Sequence, residues 1–238
     1  MRYKRVVLKV SGEAMGRPGE GGLEKSRIEF VAREIIAAAE EGAELGLVVG
    51  GGNILRGASV EGAFSRVAAD QMGMLGTIIN GMALRDTINR LGGKAEIRAA
   101  VAIDGVVDKF RAEEACTMLG EGSAVVFAGG TGNPFFSTDT ACALRCCEIE
   151  ADVMLKATKV DGVYSDDPVT NPDAKRFESL TYRDVLEKNL GVMDLTAVEL
   201  CRNKNIPILV FDFLKPGNIV KAVKGDTIGT VISEKISE

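Results

Sequence analysis

Apolar residues in this chain group in two ways. Short unbroken runs rich in β-branched residues, at Arg5–Val10, Leu45–Val49, Ala95–Val101, Ala124–Ala128, Asp152–Lys156 and Ile206–Phe211, read as buried strands. Between them apolar residues recur at helical spacing. Ile28, Val31, Ile35 and Ile36 mark a helix over Ser26–Glu41, stopped by Gly42. Val60–Leu91 reads as a helix broken by several glycines and ended by Gly92 and Gly93. Further helices are predicted within Lys109–Leu119 and at Ala141–Ile149, Thr181–Lys188, Leu195–Lys204 and Asn218–Lys224, with a closing strand at Thr227–Ile232. Met15–Gly22 reads as a mobile glycine-rich loop, and Ala157–Arg176, with Pro168 and Pro172, as a long polar connection. Strands alternating with helices predict an α/β fold: a three-layer α/β/α sandwich around a central, mostly parallel sheet. Residues 1–238 carry no obvious linker or repeat and are expected to form a single domain.

Composition narrows the chemistry. The net charge of −5 argues against a nucleic-acid partner and against a polybasic membrane contact. No histidine is present, which removes imidazole catalysis, Ser-His-Asp hydrolysis and histidine metal sites. No apolar run is long enough to span a bilayer, and the charged N-terminal segment leading into a strand predicts no secretory signal. The five cysteines lack CxxC spacing and read as small core residues of a reducing compartment.

The chemistry centres on Ala124–Ala141. A buried strand there runs into Gly129, Gly130 and Gly132, and then into the helix-capping residues Ser137, Thr138 and Asp139. A strand, a glycine loop and a helix start aim backbone N–H groups at one point, where an anion can sit. Two further glycine turns follow strands, at Ser11-Gly12 and Gly50–Gly52. In a parallel sheet such turns gather at the carboxyl edge, where ligands bind. With Lys9 and Arg56 beside them they describe a basin for several phosphates, the setting phosphoryl transfer needs. The chain has neither GxxxxGK[ST] nor a GxGxxG dinucleotide turn.

Four segments, in order, carry a resemblance: Lys9–Glu13; Gly50–Asn53 with Arg56-Gly57; Thr131–Phe136 running into Thr138–Ala141; and Thr158–Tyr164 with Asp167-Pro168. Together they resemble the bacterial-type uridylate (UMP) kinases of the amino acid kinase superfamily, over essentially the whole chain. GNPFF (Gly132–Phe136) is the specific element. The resemblance implies transfer of the ATP γ-phosphoryl group to UMP, in pyrimidine biosynthesis. It implies Lys9, Asp139 and Arg56 as catalytic residues. ATP would be held by Lys9, Val10, Ser11, Gly12, Gly52, Arg56, Thr158, Tyr164 and Asp167, with Lys9 bridging donor and acceptor. UMP would be held by Gly51, by Asp70 at the ribose, and by Thr131, Gly132, Asn133, Pro134, Phe135, Phe136, Ser137 and Thr138. Asp139 would orient the lysine. The family is typically a cytoplasmic homohexamer that uses Mg²⁺ as MgATP, is activated by GTP and is inhibited by UTP. Arg17, Pro18, Gly19, Glu20, Gly21 and Gly22 match the region linked to GTP. No carboxylate cluster suggests a protein-built metal cage.

The residues also have plainer readings. Asp70 on its helix is a solvated acid by default, and Asp139 a first-turn helix acid. Phe135 and Phe136 are expected as wall and core, and Asp194 as a helix cap. Lys156 and Lys159 read either as phosphate contacts or as solvated loop lysines, and Met72, Met74, Leu75, Ile78 and Ile79 either as a subunit interface or as core. Two rival functions remain open on sequence: a superfamily kinase for carbamate or a carboxylate, which GNPFF and Asp70 disfavour, and a nucleotide-responsive regulator without turnover.

Overall fold

Residue parity along the strands divides the core in two. Val6, Leu8 and Val10 point into one apolar cluster while Val7 points into another, each fully buried. A strand that is apolar on both faces must be covered on both. The computed structural model describes residues 1–55, 62–168, 170–188 and 190–234.

Among these the chain runs β1 (Arg5–Val10), a 3₁₀ turn (Gly12–Ala14), α1 (Lys25–Glu40), β2 (Glu44–Val49), α2 (Arg66–Arg90), β3 (Ala95–Ala99), α3 (Ala112–Gly120), β4 (Ala124–Ala128) and α4 (Thr138–Glu148). It continues through β5 (Val153–Thr158), β6 (Val163–Tyr164), β7 (Arg176–Phe177), β8 (Ser179–Thr181), α5 (Tyr182–Glu187), α6 (Leu195–Lys204), β9 (Ile208–Asp212), α7 (Asn218–Lys224) and β10 (Gly229–Ser233). Eight strands form the central sheet in the order β3-β4-β2-β1-β5-β9-β10-β8. All neighbouring pairs are parallel except β10 against β9. Helices α1, α2 and α7 bury Val31, Ile35, Leu84, Ile88 and Ile219 on one face. Helices α3 to α6 bury Leu119, Cys146, Val185 and Val198 on the other. The three-layer α/β/α sandwich expected from the alternation is the observed architecture.

Three expectations need correction. The polar connection after β5 is not without structure: β6 and β7 pair as a small antiparallel hairpin, and β8 adds an edge strand beside β10. These strands are two or three residues long, too short for a periodicity signal. Helix α2 is one continuous helix of 25 residues despite its glycines. A side chain at Gly81 would stand 2.9 Å from Ile97, so this glycine lets the helix lie close on the sheet rather than breaking it. Finally, the Met15–Gly22 loop is fastened at its end, where the Gly22 N–H donates to the Asn53 carbonyl at 2.7 Å.

Candidate active site

Strand register builds the charged centre. Lys9 on β1 stands directly opposite Lys156 on β5. Lys9 has the parity of Val7, and Lys156 that of Met154, so both side chains leave the sheet on the α4 side. Like charges placed side by side on one sheet face repel. Asp139, in the first turn of α4, lies between them: Lys9 Nζ is 3.0 Å from Oδ1 and Lys156 Nζ 2.5 Å from Oδ2. The three side chains are 14%, 10% and 12% exposed, so water screens them little. Burial pushes the Asp139 carboxyl up, but the two ammonium groups outweigh it and hold it below its ordinary value. For Lys156 burial dominates, and it outweighs the attraction of Asp139 to lower the ammonium. Lys156 is therefore not a solvated loop lysine. It is a buried strand residue whose partner is 17 positions away in sequence.

The glycine turns meet beside this centre. A Cβ at Gly12 would lie 2.5 Å from the Gly50 carbonyl, and one at Gly51 would lie 2.6 Å from the Gly73 carbonyl of α2. Only glycine lets these backbones approach so closely. Buried Asn80 of α2 pins the second turn, donating to the Gly50 carbonyl at 2.6 Å and exchanging hydrogen bonds with Asn53 at 2.7 and 3.0 Å. The third turn has positive φ at Gly129, Gly130 and Gly132, and the Gly129 N–H donates to the Thr77 hydroxyl at 2.8 Å.

At the helix start after that third turn, two of the backbone N–H groups are taken by a side chain of the protein. Ser137 Oγ accepts from the N–H groups of Asp139 and Thr140 at 3.0 and 3.1 Å. Ser137 and Thr140 in turn donate their hydroxyls to Asp194, whose carboxylate also accepts from the Ala197 N–H that opens α6. Asp194 thereby joins the first turns of α4 and α6. It is the helix cap the sequence suggested, and through the Ser137 and Thr140 hydroxyls it ties the α6 cap to the first turn of α4.

Between α2 and the 130–138 loop opens a cavity of 620 Å³, a size suited to a small organic ligand. Of the expected acceptor residues, Gly51, Asp70, Thr131, Asn133, Phe136 and Thr138 line it, and so does Gly52. Asp70 is not a solvated acid. It accepts from the Phe135 N–H at 2.7 Å and pairs with Arg66 at 2.8 Å. These partners outweigh its partial burial and hold its carboxyl low. Phe135 and Phe136 are not core residues, being 65% and 50% exposed. Phe135 has φ 73°, a left-handed backbone costly for a bulky residue, and its anchored N–H sits at that strained position. Gly132 packs on Ala100, and Ser137 is engaged as the α4 cap.

A second cavity, of 470 Å³, lies between β5, the β6 region and residues 190–192. Thr158, Tyr164 and Asp167 line it, as expected for one ligand held by all three. The Tyr164 hydroxyl donates to Asp161 at 2.6 Å, which raises the phenol above its ordinary value. A third, smaller cavity of 290 Å³ is bounded by Arg17, Pro18, Gly19 and Gly21 together with Lys159, which pairs with Glu13 at 2.9 Å. Ser11 opens the turn after β1, its carbonyl accepting from the Ala14 N–H at 2.9 Å, whereas the Val10 side chain is core and its carbonyl accepts from the Gly50 N–H. Arg56, expected as a catalytic and ATP-binding residue, lies outside the described residues.

Sequence reading did not find Gly73, Met74 or Thr77 as cavity walls, nor Asn80 as a tether. A signal was present: residues 70, 73, 74 and 77 lie at helical spacing on one face of α2. Among the described residues no three acidic or cysteine side chains converge as a metal cluster, and no helix is long and apolar enough to cross a membrane. Burial raises the thiols of Cys146, Cys147 and Cys201, which holds them neutral.

Glycine turns at a sheet's carboxyl edge, a lysine–carboxylate–lysine centre and two cavities suit a phosphotransferase of the α/β class. The sequence profile of the amino acid kinase family matches residues 4–212, and the chain belongs to that family. Among curated relatives it is 49% identical to the uridylate kinase of Pseudomonas aeruginosa strain PAO1, over 98% of this chain and 96% of that one. It is 48% identical to the uridylate kinase of Legionella pneumophila strain Paris, over 98% and 94%. The crystal structure of UMP kinase from Bacillus anthracis superposes with a TM-score of 0.96 at 36% identity, covering 100% of this chain and 99% of that one.

Proposed function

We propose that this chain transfers the γ-phosphoryl group of ATP to UMP, giving ADP and UDP. The observation that carries the proposal is the acceptor cavity itself. Its wall runs from Asp70 through the GNPFF loop to Thr138, and Asp139, the partner of Lys9, is the next residue. Near-full-length likeness to uridylate kinases supports the choice of UMP.

In this reading ATP lies with its adenosine in the cavity of Thr158, Tyr164 and Asp167, and its phosphates over Lys9, Ser11, Gly12 and Gly52. UMP takes the 620 Å³ cavity, with Asp70 at the ribose. Lys9, held by Asp139, bridges the phosphoryl groups and stabilises charge on the oxygens in flight. Arg56, by its motif, adds a second cation. A phosphate monoester has a second pKa of about 6, so the acceptor arrives largely as a dianion and needs no general base. A histidine-free site suits that acceptor. Magnesium would come as part of the MgATP substrate and would supply charge neutralisation at its phosphates, with no protein carboxylate cluster among the described residues to hold it. Asp139, committed to two lysines, is not offered to it.

The same reading takes residues 1–238 as one cytoplasmic kinase domain that assembles as a homohexamer, activated by GTP and inhibited by UTP. Leu75 and Ile79, one turn apart on α2 and 49% and 43% exposed, support an assembly surface, while Ile78 belongs to the core. The loop Arg17–Gly22 beside its small cavity supports a place for the guanine effector. The test is ADP release with MgATP and, in separate reactions, UMP, CMP, carbamate and acetylglutamate. UMP is expected to be the preferred acceptor. Turnover of a carboxylate or carbamate without UMP would overturn the proposal.

A further inference from the structure

Asp139 has two cationic partners, although orienting one lysine requires only one. Lys156 makes the closer contact, an aligned hydrogen bond of 2.5 Å to Oδ2. Lys9 comes within 3.0 Å of Oδ1 without hydrogen-bond alignment, and Oδ1 accepts no hydrogen bond. Lys156 cannot turn away, being a strand residue between β1 and β9 and buried to 8% exposure. With Lys9 alone, the Asp139 carboxylate would cancel the charge meant for the phosphates. With Lys156 present, the cluster keeps one net positive charge, carried by the loosely held partner.

We propose that Lys156 is a positioning residue for phosphoryl transfer: it neutralises Asp139 from behind the sheet edge, so that Asp139 can hold Lys9 without quenching it. Lys156 need not touch a nucleotide. Burial disfavours the Lys156 ammonium, and Asp139 is the group that opposes that loss of charge. The inference rests on the phosphotransferase reading above.

The test is a charge-balance cycle in the full-length protein, with UMP and MgATP. Lys156→Gln keeps a donor for Asp139 and removes the charge. It is expected to lower kcat about 100-fold, with KM for either substrate moving less than about threefold. Adding Asp139→Asn to Lys156→Gln restores one net positive charge on Lys9, and is expected to recover kcat about tenfold over the single variant. A purely structural role for Lys156 predicts the reverse, a double variant no better than Lys156→Gln. That result would overturn the inference, as would a Lys156→Gln enzyme of wild-type kcat. Thermal unfolding of each variant, in the presence of UMP, separates loss of fold from loss of turnover; if Lys156→Gln lost activity only in proportion to its unfolded fraction, the inference would also fall. The wild type is the control on the parent reading. If it phosphorylated no nucleotide, both ideas would fall together, whereas an active wild type with an equally active Lys156→Gln removes only this one.

Discussion

Replacing Asp139 by Asn is the sharpest perturbation of the charged centre. It keeps the shape and strips the anion between two lysines whose side chains are 14% and 10% exposed. Removing one member of a buried ion pair costs about 3–5 kcal/mol, because the remaining charge is left uncompensated. A lysine has a way out: it can lose its proton. Neutralising one costs about 1.4 kcal/mol for each pH unit below its unfolded pKa of about 10.4. The penalty is then capped at about 4.5 kcal/mol at pH 7 and about 2 kcal/mol at pH 9. Lys156 is the group to yield, since burial already lowers it. The sign follows from proton counts: the unfolded variant binds a proton that the folded one lacks, so its stability rises with pH across this window. Urea unfolding at pH 7, 8 and 9, at equal protein concentration, reads the penalty as a change in midpoint at constant slope. Adding Lys156→Met should restore most of the loss. A deficit below about 1 kcal/mol at pH 7, or one that does not shrink by pH 9, would refute the account of the cluster.

Gly12→Ala brings a methyl group to 2.5 Å from the Gly50 carbonyl. The two turns must separate, so a loss of about 1–3 kcal/mol in unfolding free energy is expected together with a severe drop in kcat. Asp70→Ala releases the Phe135 N–H and Arg66. KM for UMP should rise about tenfold or more while KM for ATP changes little, as initial-rate kinetics would show. Leu75→Glu with Ile79→Glu places charge on the exposed apolar strip of α2. Light scattering should report a smaller assembly, and an unchanged mass would remove this strip from the interface.

How much of this was legible in the sequence differs from element to element. Long periodic segments were readable because burial imposes their pattern: Val6, Val7 and Leu8 must be apolar because both faces of β1 are covered, and α1 must present Ile28, Val31 and Ile35 to one side. Capping residues Ser137 and Asp194 were readable because their chemistry is local. The strands β6, β7 and β8 were not, since two or three residues carry no period.

The site divides along the same line. Sequence alone determined which groups could handle phosphate: three glycine turns after strands, Lys9, the GNPFF loop and Asp139, with no histidine to do anything else. It left the partner of each undetermined, because partners come from register and packing. Only the tertiary structure set Lys156 opposite Lys9 and brought Asp139 between them. Only it gave Asp70 to the Phe135 backbone, and joined the first turn of α4 to Asp194. Local chemistry is written in neighbouring residues, whereas charge balance in a buried cluster depends on atoms the chain brings together from far apart.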